Sequence, residues 1–196
     1  MSKAVMLSIQ PKWCELIASG KKTIEVRKIA PKCDMPFKCY IYETRGGYNL
    51  CNKCDKEGCY GHRMNARCYK GRGKVIGEFV CDYIWDYYFW QKEDIDADTI
   101  RDACLSHDEI WNYGKGKTLY GWHISDLKIY DTPKELGEFF GYGECEPDPI
   151  KCHACRYIEH GNSWAGIEAD CDAAYEGLKQ LRHPPQSWCY VEELSE

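Results

Sequence analysis

Gln10-Pro-Lys-Trp-Cys-Glu-Leu-Ile-Ala-Ser-Gly20-Lys-Lys-Thr-Ile-Glu-Val-Arg27 compresses a helix, its stop and a strand into one short stretch. Pro11 falls near the first helical position, where its missing N–H costs nothing. Trp13, Leu16 and Ile17 share one helical face, and Gly20 supplies the C-terminal stop. Thr23 to Arg27 then alternates polar and apolar side chains, the pattern of a half-buried strand. A short helix feeding a strand, without a long βαβ crossover, points toward a strand-rich mixed fold.

Working outward, Phe37–Thr44 is an aromatic-rich strand, and Lys74–Tyr83 reads as a central one because its apolar content is nearly continuous. A helical middle (97–113) leads to strands at Leu119–Ile124 and Leu127–Tyr130. Thr132-Pro-Lys-Glu135 has the form of a capping box with proline at its first position, opening a helix toward Phe140. Ser187–Glu192 closes the chain as a strand. The expected class is α+β: a small mixed β-barrel with flanking helices, one domain over residues 1–196. Two stretches without this rhythm, 45–73 and 141–182, read as Cys-rich insertions. The second carries a helical pattern near 165–181. Segments this long need a staple inside a compact domain.

The chain has 196 residues, 44% hydrophobic and 29% charged. It has no run of the roughly 18 apolar residues that a membrane span needs. Its start lacks the apolar core of a secretory signal. These features predict a cytoplasmic protein with no membrane partner. The net charge of −5 is unevenly spread. Residues 1–80 carry 16 Lys/Arg against 7 Asp/Glu, and residues 81–196 carry 10 against 24. Such asymmetry predicts a basic surface for an anionic partner, unless the fold interleaves the halves and averages the field.

The 14 cysteines cluster. Cys51-x2-Cys54-x4-Cys59-x8-Cys68 contains the Cys-x-x-Cys knuckle that lets two thiolates reach one tetrahedral ion. Cys152-x2-Cys155 repeats it, with Cys145 and Cys171 nearby and His62, His153 and His160 as alternative ligands. Structural zinc is expected here, in one shared site or one per insertion, because site formation supplies folding free energy that a coreless insertion lacks. Reduced cysteines in plain loops are the competing reading. Cys14, Cys81, Cys104 and Cys189 sit in regular segments and read as small hydrophobes.

The Gly20-Lys-Lys-Thr-Ile-Glu-Val-Arg27 motif resembles the hallmark of the ASCH domain, a PUA-like family whose helix ends in Gly-x-Lys before a strand ending in arginine. The likeness continues through Gly73-Lys-Val-Ile-Gly-Glu-Phe-Val-Cys81, Tyr120-Gly-Trp-His-Ile-Ser-Asp-Leu127 and Pro184-Pro-Gln-Ser-Trp-Cys-Tyr-Val191, segments similar to small ASCH proteins of phages and prophages. The resemblance implies a cleft that recognises RNA, a nucleotide or a modified base. Lys21, Lys22 and Arg27 would meet anionic groups, with Gln10, Trp13 and Trp122 as cleft neighbours and the aromatics as stacking platforms. Glu25 and Arg27, alternating on one strand face, can instead pair with each other or with Lys22.

Some ASCH relatives hydrolyse N4-acetylcytidine with a Lys/Thr/Glu set. The family lysine falls on Lys22, but the threonine position holds Glu25, which removes the hydroxyl nucleophile. Glu25 beside Lys22 would then serve as a general base on water, and Glu78 is the nearest candidate for the acid. Others are ribonucleases. Binding without turnover is the principal expectation, with hydrolysis of an acylated cytidine or of RNA through Lys22 and Glu25 as one alternative. A phage-type adaptor that grips a protein partner through its insertions is another.

Overall fold

The computed structural model describes residues 3–45, 71–142 and 178–194. The elements are β1 (Lys3–Ile9), α1 (Pro11–Ala18), β2 (Ile24–Arg27), β3 (Phe37–Glu43), β4 (Lys74–Cys81), β5 (Ile84–Tyr87), α2 (Ala97–Ala103), α3 (His107–Gly114), β6 (Leu119–His123), β7 (Ser125–Lys134), β8 (Phe140–Tyr142), β9 (Leu178–Gln180) and β10 (Trp188–Glu192). Seven strands form one sheet in the order β7-β4-β3-β1-β10-β8-β9, and β2-β6-β5 form a second. The class is mixed α+β, rich in strands, as expected. The described strands make two sheets rather than a closed barrel.

At the centre of the large sheet, β1 pairs in parallel with β3 and antiparallel with β10. It is buried on both faces. Val5, Leu7 and Ile9 enter one core with Cys14, Ile17, Ile41, Phe79 and Trp122. Ala4 and Met6 enter another with Tyr40, Tyr42, Phe139 and Val191. A strand covered on both sides shows no alternation, so Lys3–Ile9 escapes a search for period two. Each of its buried Leu, Ile or Val side chains contributes about 1.5–3 kcal/mol of transfer free energy.

The small sheet divides its residues differently. On β2, Ile24 and Val26 join Ile95, Ala103, Ile110 and Leu119 in a third cluster beneath α2 and α3. Successive strand side chains point to opposite faces, so Glu25 and Arg27 turn away from that cluster. Gly20, at φ +72°, ends α1 in the left-handed region, and its N–H donates to the Ile17 carbonyl at 2.8 Å. This sharp stop sends Lys21–Thr23 directly onto the end of α2.

Two expectations are corrected. Thr132–Glu135 opens no α-helix: Ser125–Lys134 is one long strand, followed by a 3-10 turn at Leu136–Glu138 and then β8. Pro133 fits because β7 is the edge of the sheet, where a missing N–H breaks no ladder on the open side. The capping box of this region belongs to the turn, where Glu138 accepts from the Glu135 N–H at 2.6 Å. The helix expected at 165–181 lies mostly outside the described residues, but its end, Leu178–Gln180, is β9, paired with β8.

Both insertions have closed stems. The Arg72 N–H donates to the Glu43 carboxylate at 2.8 Å and the Gly73 N–H to the Glu43 carbonyl at 3.1 Å, so the chain leaves and re-enters at the β3–β4 pair. The β8–β9 pairing does the same for the second stretch. No helix among the described residues is long and apolar enough to cross a membrane.

Candidate functional site

A cleft of about 530 Å³ opens where β2 meets the ends of β1 and β3 and the start of α1. Its floor is made of charge. Lys22, Glu25 and Arg27 are 2%, 7% and 7% exposed, a buried trio in which two cations share one carboxylate. Lys22 Nζ lies 3.3 Å from Glu25 Oε2, and Arg27 Nη2 lies 3.0 Å from Glu25 Oε1. The pairing that strand alternation allowed is therefore realised, with one positive charge in excess.

Lys22 is already engaged. Besides Glu25, its ammonium donates to the carbonyls of Ile24 at 2.8 Å and Ala103 at 2.7 Å. Of the three donors of an ammonium, two are taken by these carbonyls, and the charge is paired with Glu25. Ala103 ends α2, so Lys22 satisfies a carbonyl that a helix terminus leaves without an internal partner, at the negative end of its dipole. The Thr23 N–H donates to Asp102 O at 2.9 Å and the Cys104 thiol to Lys21 O at 3.3 Å, completing the dock.

Arg27 spans the two sheets. Its Nη2 donates to Ser8 O on β1 at 2.9 Å, and Nη1 reaches Ser187 O at 3.3 Å and Ser187 Oγ at 3.2 Å, just before β10. Its Nε is buried without a partner among the described residues.

The walls are aromatic and amide. Trp13 is half-buried, with Lys12 Nζ 4.1 Å and Lys22 Nζ 5.4 Å from its ring centre. Gln10 precedes α1 without capping it, which leaves its exposed side chain free to face the cleft. Tyr113 and Glu109 of α3 and Gln186 complete the rim. Burial holds the Tyr113 phenol above its ordinary value, so it is a neutral hydroxyl. Burial also acts to raise the Glu109 carboxyl, but hydrogen bonds from Ser106 and the charge of Lys12, 3.6 Å away, outweigh it and bring the carboxyl below its usual value.

The structure brings together Gln10, Trp13, Lys22, Glu25 and Arg27 and separates two other residues expected with them. Lys21 is exposed outside the lining. Trp122 sits opposite Glu25 in the β2–β6 register, yet its indole is wholly buried, edge-on to Phe37 at 5.8 Å and 6.0 Å from Trp188. It supports the floor from inside the core and does not face a ligand. Glu78 pairs in register with Tyr40, whose ring faces the other core, and accepts from the Tyr130 hydroxyl there. It is therefore on the wrong side of the sheet to act as an acid in the cleft.

Sequence reading missed Tyr113, Glu109, Gln186 and Ser187 as cleft residues: the first two carry no motif, and the last two lie in the Pro184–Val191 segment of the resemblance without a role assigned to them. The cysteines expected as zinc ligands, Cys51, Cys54, Cys59, Cys68, Cys145, Cys152, Cys155 and Cys171, lie outside the described residues. Among the described residues no group of three or more His, Cys, Asp or Glu side chains is arranged to hold a metal.

Helix stop, basic motif strand and cleft are arranged as the ASCH resemblance implies, and the family model described as the ASCH domain matches residues 7–97. That match includes the whole Gly20–Arg27 motif on which the resemblance rests. Its fold resembles the crystal structure of ASCH from Zymomonas mobilis, at 18% identity over 97% of this chain and 88% of that one, with a TM-score of 0.53. A serine-to-alanine variant from Zymomonas mobilis gives 17% identity over 97% and 89%, also with a TM-score of 0.53. No curated protein matches the chain.

Proposed function

We propose that this chain, read as an ASCH-type protein of the PUA-like class, binds a single nucleotide of RNA, its base plain or modified, in the cleft above Glu25 and Arg27. The observation that carries this reading is the excess positive charge on a buried floor beside the half-open ring of Trp13. The volume lies in the range of small-ligand sites. Trp13 offers a stacking surface, Gln10 and Gln186 offer amide donors and acceptors to a base edge, and the cationic floor favours a carbonyl or phosphate oxygen.

Binding is favoured over hydrolysis by the bonding already in place. Both oxygens of Glu25 are in ion pairs and Lys22 is held by two buried carbonyls as well, so neither moves a proton without dismantling the floor. Their role in this reading is to fix the strand and set the charge. The rest of the chain is read as one domain, acting in the cytoplasm, with insertions at 45–73 and 141–182 held by structural zinc on the cysteines named above; cysteine spacing supports that staple.

The test is equilibrium binding of a fluorescent single-stranded RNA and of N4-acetylcytidine, with deacetylation followed in the same samples. Trp13→Ala is expected to weaken binding by the roughly 1–3 kcal/mol of one stacked base, about 5- to 150-fold, with no product formed. Absence of binding to both probes overturns the reading. Turnover abolished by Glu25→Gln replaces it with the hydrolytic one.

A further inference from the structure

A second cleft, of about 540 Å³, adjoins the first. Thr44 lines both, and the segment that supplies Pro184 to the second supplies Gln186 to the first. Its charged lining is Arg45, Arg182, His183 and Glu135. Glu135 is committed, with its carboxylate 2.6 Å from Lys74 Nζ. Neither Arg45 nor Arg182 has an ion-pair partner among the described residues. Two exposed guanidiniums therefore line one concavity without an ion pair to any described residue.

Arg45 is held in place. Gly73, at φ +68°, lies directly beneath its side chain: a Cβ there would come within 2.4 Å of Arg45 Nε and 2.5 Å of its Cγ. The glycine lets the stem of the first insertion close while the arginine lies across it. The backbone leading to Arg45 is anchored on both sides: the Glu43 carbonyl accepts from Gly73 N–H, and the Thr44 N–H donates to Ile9 O at 2.9 Å. Arg182 follows β9 and Leu181, which is buried in the second core and whose N–H donates to Phe139 O at 2.8 Å. Both cations thus spring from anchored backbone on opposite sides of the cleft.

We propose that this second cleft is a phosphate subsite, in which Arg45 and Arg182 hold the phosphodiester next to the nucleotide seated in the first cleft. Guanidinium forks match phosphate oxygens with paired hydrogen bonds. The inference rests on the first cleft being a nucleotide site, and it deepens that reading: the ligand is a strand, read at one base and held by its neighbouring phosphate, rather than a free nucleoside.

The experiment measures three probes on the wild type, Arg45→Ala/Arg182→Ala and Gly73→Ala: a ten-nucleotide single-stranded RNA, N4-acetylcytidine and inorganic phosphate. Both arginines are exposed, so the double variant is expected to keep its thermal midpoint. It should bind the RNA at least 10-fold more weakly. Its slope of log affinity against log salt should fall by about 0.7, the contribution of the one phosphate that the two arginines share on a single strand. Its affinity for the nucleoside should be unchanged. Gly73→Ala, which displaces Arg45, should reproduce part of the RNA loss. RNA binding by the double variant equal to wild type, with the same salt slope, overturns the second subsite and leaves the first intact. An equal loss of nucleoside binding also overturns it, because the arginines then act through the first cleft. Competition by inorganic phosphate as effective as by RNA assigns the cleft to a free anion and overturns the strand reading. Failure of the wild type to bind either RNA or nucleoside removes both proposals.

Discussion

Replacing Lys22 by methionine keeps most of the side-chain volume and removes the ammonium that joins β2 to the end of α2. Two buried carbonyls, Ile24 O and Ala103 O, lose their donor, at about 1–3 kcal/mol each when left unsatisfied. Glu25 keeps Arg27, so no carboxylate is stranded. The loss is therefore that of the two carbonyls, about 2–6 kcal/mol together. For a protein of this size each kcal/mol moves the thermal midpoint by about 2–4 °C, giving a fall of about 4–24 °C. The assay is thermal unfolding followed by near-ultraviolet circular dichroism, with Lys21→Met as control. Lys21 is exposed, and its variant should stay within about 0.5 kcal/mol of wild type. A Lys22→Met protein that melts within about 2 °C of wild type refutes the paired floor, and with it the argument that Lys22 is occupied by structure.

The two tryptophans should separate stability from binding: Trp122→Ala costs about 3–5 kcal/mol of stability, whereas Trp13→Ala loses RNA affinity at a smaller cost in stability, and equal melting losses would contradict their placement. Burial pushes the Cys14 and Cys39 thiols above their usual value and the Cys81 thiol up to about 12, so all three should resist iodoacetamide at pH 8 until the protein unfolds, as read by mass spectrometry. Asp96 caps α2, accepting from the Thr99 backbone N–H at 2.8 Å, which lowers its carboxyl below the ordinary 3.8. Its contribution of about 1 kcal/mol is present above that ordinary value and lost as pH falls through the lower folded one, so the penalty of Asp96→Ala should vanish in acid. Metal analysis of the reduced, purified protein should find zinc, and its absence refutes the proposed staple.

How far the sequence could be read depended on distance along the chain. The helix, stop and strand of residues 10–27 were legible because proline, glycine and alternation act locally, and the same stretch supplies Gln10, Trp13, Lys22, Glu25 and Arg27. Alternation also placed Glu25 and Arg27 on one face, but it could not say that Lys22 would turn inward, because its acceptor at Ala103 lies on a helix 81 residues away. For Trp122, core burial and a place in the cleft were both open for a related reason: register sets the face of a strand, not whether a large ring on that face points to the open end or the closed one, and the structure shows burial. Pro133 misled because a proline at a helix start and a proline on an edge strand look alike until the neighbouring strand is known. Tyr113, Gln186 and Ser187 reach the cleft only through tertiary packing.

Arg27 ties β1, β2 and the approach to β10 through backbone carbonyls rather than through side chains that substitution would alter. Apart from Ser187 Oγ, the sheet-to-sheet joint is therefore indifferent to which residues occupy those acceptor positions. Gln10, Trp13, Tyr113 and Gln186 surround this joint without bearing it. If the cleft binds a base as proposed, exchanging them should change which base it takes while the joint between the sheets stays intact.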